Sequence, residues 1–108
     1  MIVTATEAPV IPVDPGVTRQ ILGHDPQLML VRVTLDTGAV AALHSHPHRQ
    51  VTYVESGAFE ATIGGSTRVL HSGDCYLVPP DVRHGVRALE AGVLIDVFTP
   101  AREDFISR

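Results

Sequence analysis

The chain has 108 residues, enough for one hydrophobic core and too few for two. Its 44 % apolar and 19 % charged residues are a globular balance rather than that of a disordered segment, and a formal net charge of −4 argues against a binder of nucleic-acid phosphate. All eight basic residues are Arg, and Lys, Asn and Trp are absent, which excludes lysine Schiff-base chemistry, a Walker lysine and N-glycosylation sequons. Cys75 is alone, so it forms no internal disulfide and is expected as a small packed apolar residue. No apolar run is long enough to span a bilayer and no basic start precedes one, so a cytoplasmic protein without membrane or nucleic-acid partners is expected.

Residues 1–16 carry Pro9, Pro12 and Pro15 and read as an extended arm or edge strand, because proline gives no N–H to a sheet ladder. Residues 17–108 read as the domain proper. Strands are expected at Val17–Leu22, Leu28–Leu35, Val51–Glu55, Phe59–Ile63, Thr67–His71, Cys75–Val78, Gly85–Leu89 and Val93–Phe98, all rich in β-branched residues and several alternating. Gly64-Gly65 marks a tight hairpin, and Glu55-Ser56-Gly57 a second turn. No helical stripe stands out; Ala101–Phe105, after Pro100, suits a short terminal turn or helix. Short strands at even spacing make the chain all-β, as a sandwich, jelly roll or closed barrel.

Three of the six histidines fall within five positions: His44, His46 and His48. In an extended strand, residues i and i+2 share a face, so His44 and His46 can aim two imidazoles at one point. Gln50 opens the next apolar run and His84 heads another. Neutral imidazoles from separate segments, completed by a carbonyl oxygen, suit a divalent transition metal such as Ni, Zn, Fe or Mn. The competing reading is a merely polar, solvated His-rich loop. His48 shares the alternation, but Pro47 favours a rim role for it; His24 and His71 are isolated and read as surface or loop residues.

The last segment carries a second cluster. Leu94, Asp96 and Phe98 share one face of a strand, and a charge between apolar neighbours is kept only when it is paired, metal-linked or functional. Arg102 lies just past the strand end. It suits either a bidentate clamp for a carboxylate or an ion pair to Asp96 that locks the C-terminus. Tyr53 and Tyr76 are further possible donors, or barrel packing.

The pattern Gly38, five residues, His44-Ser45-His46, three residues, Gln50, six residues, Gly57 resembles the first motif of the cupin family, which ordinarily has Glu at the position of Gln50. Gly73-Asp74, Pro79 and His84 resemble the second cupin motif, with Asp81 where Gly is usual and Ala88 where Asn is usual. The resemblance implies a double-stranded β-helix, a jelly-roll barrel, with a metal held inside by His44, His46, Gln50 and His84. A neutral Gln50 either leaves the site one negative charge short of the Glu version, which raises Lewis acidity, or has given up the ligand role and left a three-His site.

The run Ile95-Asp96-Val97-Phe98-Thr99-Pro100-Ala101-Arg102-Glu103-Asp104-Phe105 is similar to the C-terminus of the pectin-degradation KdgF group of small cupins, as are Gln50, Gly57-Ala58-Phe59-Glu60 and the overall length. That resemblance implies conversion of 4,5-unsaturated monouronates to linear keto sugar acids. It also implies catalytic roles for Asp96, Phe98 and Arg102 and a small sugar-acid substrate; the Pro-rich arm and exposed barrel edges suit a homodimer with arm exchange, as in many small cupins. The His pair stands one residue closer to Gln50 than in that group, which keeps His48 as an alternative donor. Small cupins also include metal-dependent dioxygenases, other isomerases and cyclases, and non-catalytic sugar-acid binding modules; these are the alternative readings.

Overall fold

The computed structural model describes residues 1–106. Eight strands run β1 (Val10–Asp14), β2 (Val17–Asp25), β3 (Leu28–Leu35), β4 (Val40–His44), β5 (Arg49–Ile63), β6 (Ser66–His71), β7 (Cys75–Val78) and β8 (His84–Thr99), followed by a single turn of helix, α1 (Glu103–Ile106). Every strand pairing is antiparallel. The arm's β1 pairs with β2 at the sheet edge, where Pro12 costs no ladder bond to a second neighbour.

β5 and β8 are the spine. The turn expected at residues 55–57 is not a chain reversal: the two apolar runs on either side form one strand of 15 residues, and Gly85–Leu89 with Val93–Phe98 form one of 16. The register between them slips around Ser56 and Ala58, and Gly57 has φ 85°, so both strands bend through a bulge without turning back. The two backbones nearly touch there. A Cβ on Gly57 would lie 2.7 Å from the Ala91 carbonyl oxygen, and one on Gly92 would fall on the Ser56 carbonyl oxygen.

The bend makes two layers from one hydrogen-bonded path. The first half of β5 and the second half of β8 carry β7, β3, β2 and β1; the other halves carry β6 and β4. Val17, Leu35, Val54 and Leu94 of the first layer pack with Phe59, Ala61, Val86 and Ala88 of the second. Phe59 is fully buried at this seam, which stabilises the fold by about 2–3 kcal/mol for that side chain. Met29, Val31, Phe98 and Ala101 form a smaller cluster at one end. Hydrogen bonding does not close the path into a ring; of the expected sandwich, jelly roll or closed barrel the chain forms the jelly roll, its two layers held together by side-chain packing.

β4 was not legible as a strand. Its alternation is weak and four of its five residues are exposed; pairing to β8, not burial, defines it. Cys75 is exposed rather than packed, because period-two alternation turns Tyr76 and Val78 inward and Cys75 out.

Candidate metal centre and cavity

Register assembles the inner face of the first layer. Tyr76, Thr52 and Asp96 stand directly opposite one another across β7, β5 and β8; Val78, Gln50 and Phe98 form the next row. The alternate residues Val51, Tyr53 and Leu77 face outward and are exposed, so Tyr53 takes no part in the site. A cavity of about 360 Å³ opens over the inner face. Its wall includes His44, Gln50, His84, Asp96, Phe98 and Arg102.

His44 ends β4 and pairs with His84, the first residue of β8. His46 sits beyond β4, in the loop before β5, so its approach is set by the loop and not by strand alternation. That loop is stapled to the next one: the Asp81 N–H donates to the His46 carbonyl at 2.8 Å. Asp81 has φ 65°, a left-handed conformation that Asp tolerates better than most side chains. This explains how it stands where the family motif usually has Gly.

The ring centroids of His84 lie 4.4 Å from His44 and 4.9 Å from His46, and one nitrogen of each of the three rings lies within 4.8 Å of the others. His44 Nδ1–H donates to the Ala42 carbonyl at 2.8 Å and His84 Nδ1–H to the Val82 carbonyl at 2.9 Å. Both bonds fix the tautomer that leaves Nε2 as a bare lone pair. His84 Nε2 is buried with no hydrogen-bond partner among the described residues, a cost of about 1–3 kcal/mol that a cation would remove.

His46 Nε2 lies 3.0 Å from Gln50 Oε1, close to the spacing of two neighbouring ligands each about 2.1 Å from one ion. Burial, with the charge of Arg102, holds the His46 pKa down to about 4, and burial lowers that of His84 too, so both stay in the neutral, ligating form. Three imidazole nitrogens and an amide oxygen therefore fit a divalent transition metal. His48 packs its ring 5.2 Å from His46 but lies outside the three-histidine group, as do His24 and His71.

Behind the metal-facing residues lies a polar chain. Gln50 Nε2 donates to Thr52 Oγ1 at 2.8 Å, and Thr52 Oγ1 donates to Asp96 Oδ1 at 2.6 Å. Burial pushes the Asp96 pKa up to about 6, against the opposing hydrogen bond from Thr52 and the charge of Arg102. Burial and the Asp96 charge push Tyr76 up, so its phenol stays protonated.

Arg102 does not pair with Asp96, which removes the expected alternative of an ion pair between them; it binds Asp104. Its guanidinium lies over Phe105, 4.1 Å from the ring centroid, and 5.2 Å from that of Phe98. Arg19 on β2 also stacks on Phe105, at 3.7 Å, and lines the same cavity. Neither Arg19, Phe105 nor Thr52 was identified as functional from the sequence. Arg19 shares an alternation with inward-facing Val17, and Thr52 with Gln50; those were the available signals.

An open jelly roll with clustered histidines from two motifs defines a class, and the chain belongs to it: the cupin domain family, whose model matches residues 31–98. Within that class, it is 43 % identical over 93 residues to the pectin degradation protein KdgF of Dickeya dadantii (strain 3937), covering 84 % of each chain. The solved structure of KdgF from Halomonas sp. superposes with a TM-score of 0.92 at 40 % identity, covering 97 % of both chains. An RmlC-like cupin from Shewanella frigidimarina NCIMB 400 gives 0.93 at 40 % identity, covering 96 % of this chain and 94 % of that one.

Proposed function

We propose that this chain is a metal-dependent cupin enzyme that opens 4,5-unsaturated monouronates to linear keto sugar acids. The observation that carries the reading is one cavity walled by His44 and His84 of the histidine cluster together with Gln50, Asp96 and Arg102, in a chain 43 % identical to a KdgF. His44, His46, Gln50 and His84 hold the metal, which supplies Lewis acidity toward a substrate oxygen when bound.

Arg102 orients the uronate carboxylate by charge-assisted hydrogen bonds. Asp96 accepts the anomeric hydroxyl proton; the C1–O5 bond breaks, its electron pair passing to the ring oxygen, and C1 becomes an aldehyde. The resulting enolate at C4–C5 takes the proton back at C4, giving the 5-keto acid. No electrons are gained or lost overall. A carboxyl whose pKa burial raises to about 6 suits both transfers. Phe98, buried beside His46, walls the cavity against bulk water.

Residues 1–16 serve as the arm and 17–108 as the barrel, and the protein works as a cytoplasmic homodimer. The outward apolar face of Val51, Tyr53 and Leu77 supports association. No helix among the described residues is long and apolar enough to cross a membrane.

The test adds metal-loaded protein to an unsaturated monouronate and follows the ultraviolet absorbance of the conjugated double bond. Loss of the band with no oxygen uptake is expected. Binding without loss would make the chain a sugar-acid binding module, and oxygen consumption a dioxygenase.

A further inference from the structure

We infer that Thr52 is a positioning residue: its hydroxyl, oriented by the Gln50 amide, aims Asp96 into the cavity and ties that carboxylate to the metal-facing group. The inference rests on the proposed role of Asp96 and deepens it.

Thr52 is fully buried and sits directly opposite Asp96 in the β5–β8 register. A hydroxyl has one proton to give. Gln50 Nε2 can only donate, so at 2.8 Å it occupies Thr52 Oγ1 as acceptor. The hydroxyl proton is thereby sent to Asp96 Oδ1, at 2.6 Å. Flipping the amide would turn its oxygen toward Asp96, only 3.5 Å from the amide group, and withdraw oxygen from the histidines. Each direction in the chain is thus set by its neighbour, and Oδ1 of Asp96 is held while Oδ2 is left for proton transfer.

The same chain explains Gln at position 50. A Glu there has no N–H for Thr52, and its second oxygen would stand against the Asp96 carboxylate, where like charges repel. Gln50 therefore answers to Asp96 as well as to the metal.

The experiment compares Thr52→Val and Thr52→Ser in the metal-loaded protein, with circular dichroism and metal content measured beside kinetics. Thr52→Val is expected to keep its metal and its KM within about 2-fold while kcat falls about 10- to 100-fold. Thr52→Ser should recover most of kcat. Unchanged kcat in Thr52→Val, or a serine variant as impaired as the valine one, overturns the inference. Gln50→Glu should bind metal yet turn over poorly; wild-type kcat there also overturns it.

A second readout needs no substrate. In metal-free protein the Gln50 side-chain amide resonances should shift in both Thr52→Val and Asp96→Asn, and no shift in either refutes the connection. If the wild type turns over no unsaturated uronate while these shifts are present, the functional reading fails and the connection stands.

Discussion

Arg102 donates from Nε and Nη2 to the two carboxylate oxygens of Asp104, at 3.0 and 2.8 Å. The side-on fork of Nε and Nη2 is therefore engaged by Asp104, and Arg102 keeps both N–H bonds of Nη1 and the second N–H of Nη2 for the cavity. Asp104, held below the usual carboxylate range by that bond, acts as the brace of the arginine.

Asp104→Asn should loosen this brace. The pair is half exposed at its Asp end, so the loss is about 1 kcal/mol. KM for an unsaturated uronate is expected to rise about 5-fold with a smaller change in kcat. Steady-state kinetics check this, and an unchanged KM would mean that Arg102 is positioned by its stacking on Phe105 alone.

Asp96→Asn keeps the volume of the side chain and removes its ability to take a proton. Metal content should be unchanged and turnover should fall about 10²- to 10⁴-fold. Elemental analysis alongside the absorbance assay separates the two quantities. Retained turnover would remove Asp96 from the chemistry.

His84→Ala deletes a buried ring nitrogen that has no other partner among the described residues. The variant should remain folded and lose bound metal on dialysis, while the wild type retains it. Full metal occupancy in the variant would break the ligand assignment.

In the metal-free protein two groups pull stability in opposite directions with pH. His46 titrates near 4 when folded and near 6.5 when unfolded, so the unfolded chain takes the proton first and stability falls as pH drops through that window. Asp96 titrates near 6 when folded and 3.8 when unfolded, so the folded chain holds the proton longer and stability falls as pH rises through its own window. The slopes oppose between about pH 4 and 6. Asp96→Asn removes one of them. Its melting midpoint, measured with chelator present, should drop more steeply from pH 7 to pH 5 than that of the wild type. Parallel curves would contradict the assignment.

Gly92→Ala should destabilise the fold by more than about 2 kcal/mol, because the new Cβ falls on backbone that cannot yield. A loss of roughly 10 °C in melting midpoint is expected for a domain of this size. An unchanged midpoint would mean that the β5–β8 crossing relaxes more freely than its packing implies.

Period-two alternation carried much of this protein in its sequence. It placed Leu94, Asp96 and Phe98 on one face, and Leu28–Leu35 and Cys75–Val78 are the observed strands. The spacing of His44, His46, Gln50 and His84 likewise matched a motif whose members meet in space. Alternation is local, and it says nothing of which strands become neighbours.

That neighbour relation was decided by the tertiary structure. Glycines at 57 and 92 allowed two backbones to approach, turning an apparent hairpin into a bend that folds one sheet over itself. Register across three strands then set Thr52 between Tyr76 and Asp96. Arg102 found Asp104 two residues away, and Arg19 reached Phe105 from a distant strand. Hydrogen bonds and ion pairs depend on ångström-scale distances and side-chain directions, whether the partners are two residues apart or on remote strands, and composition and spacing do not encode those.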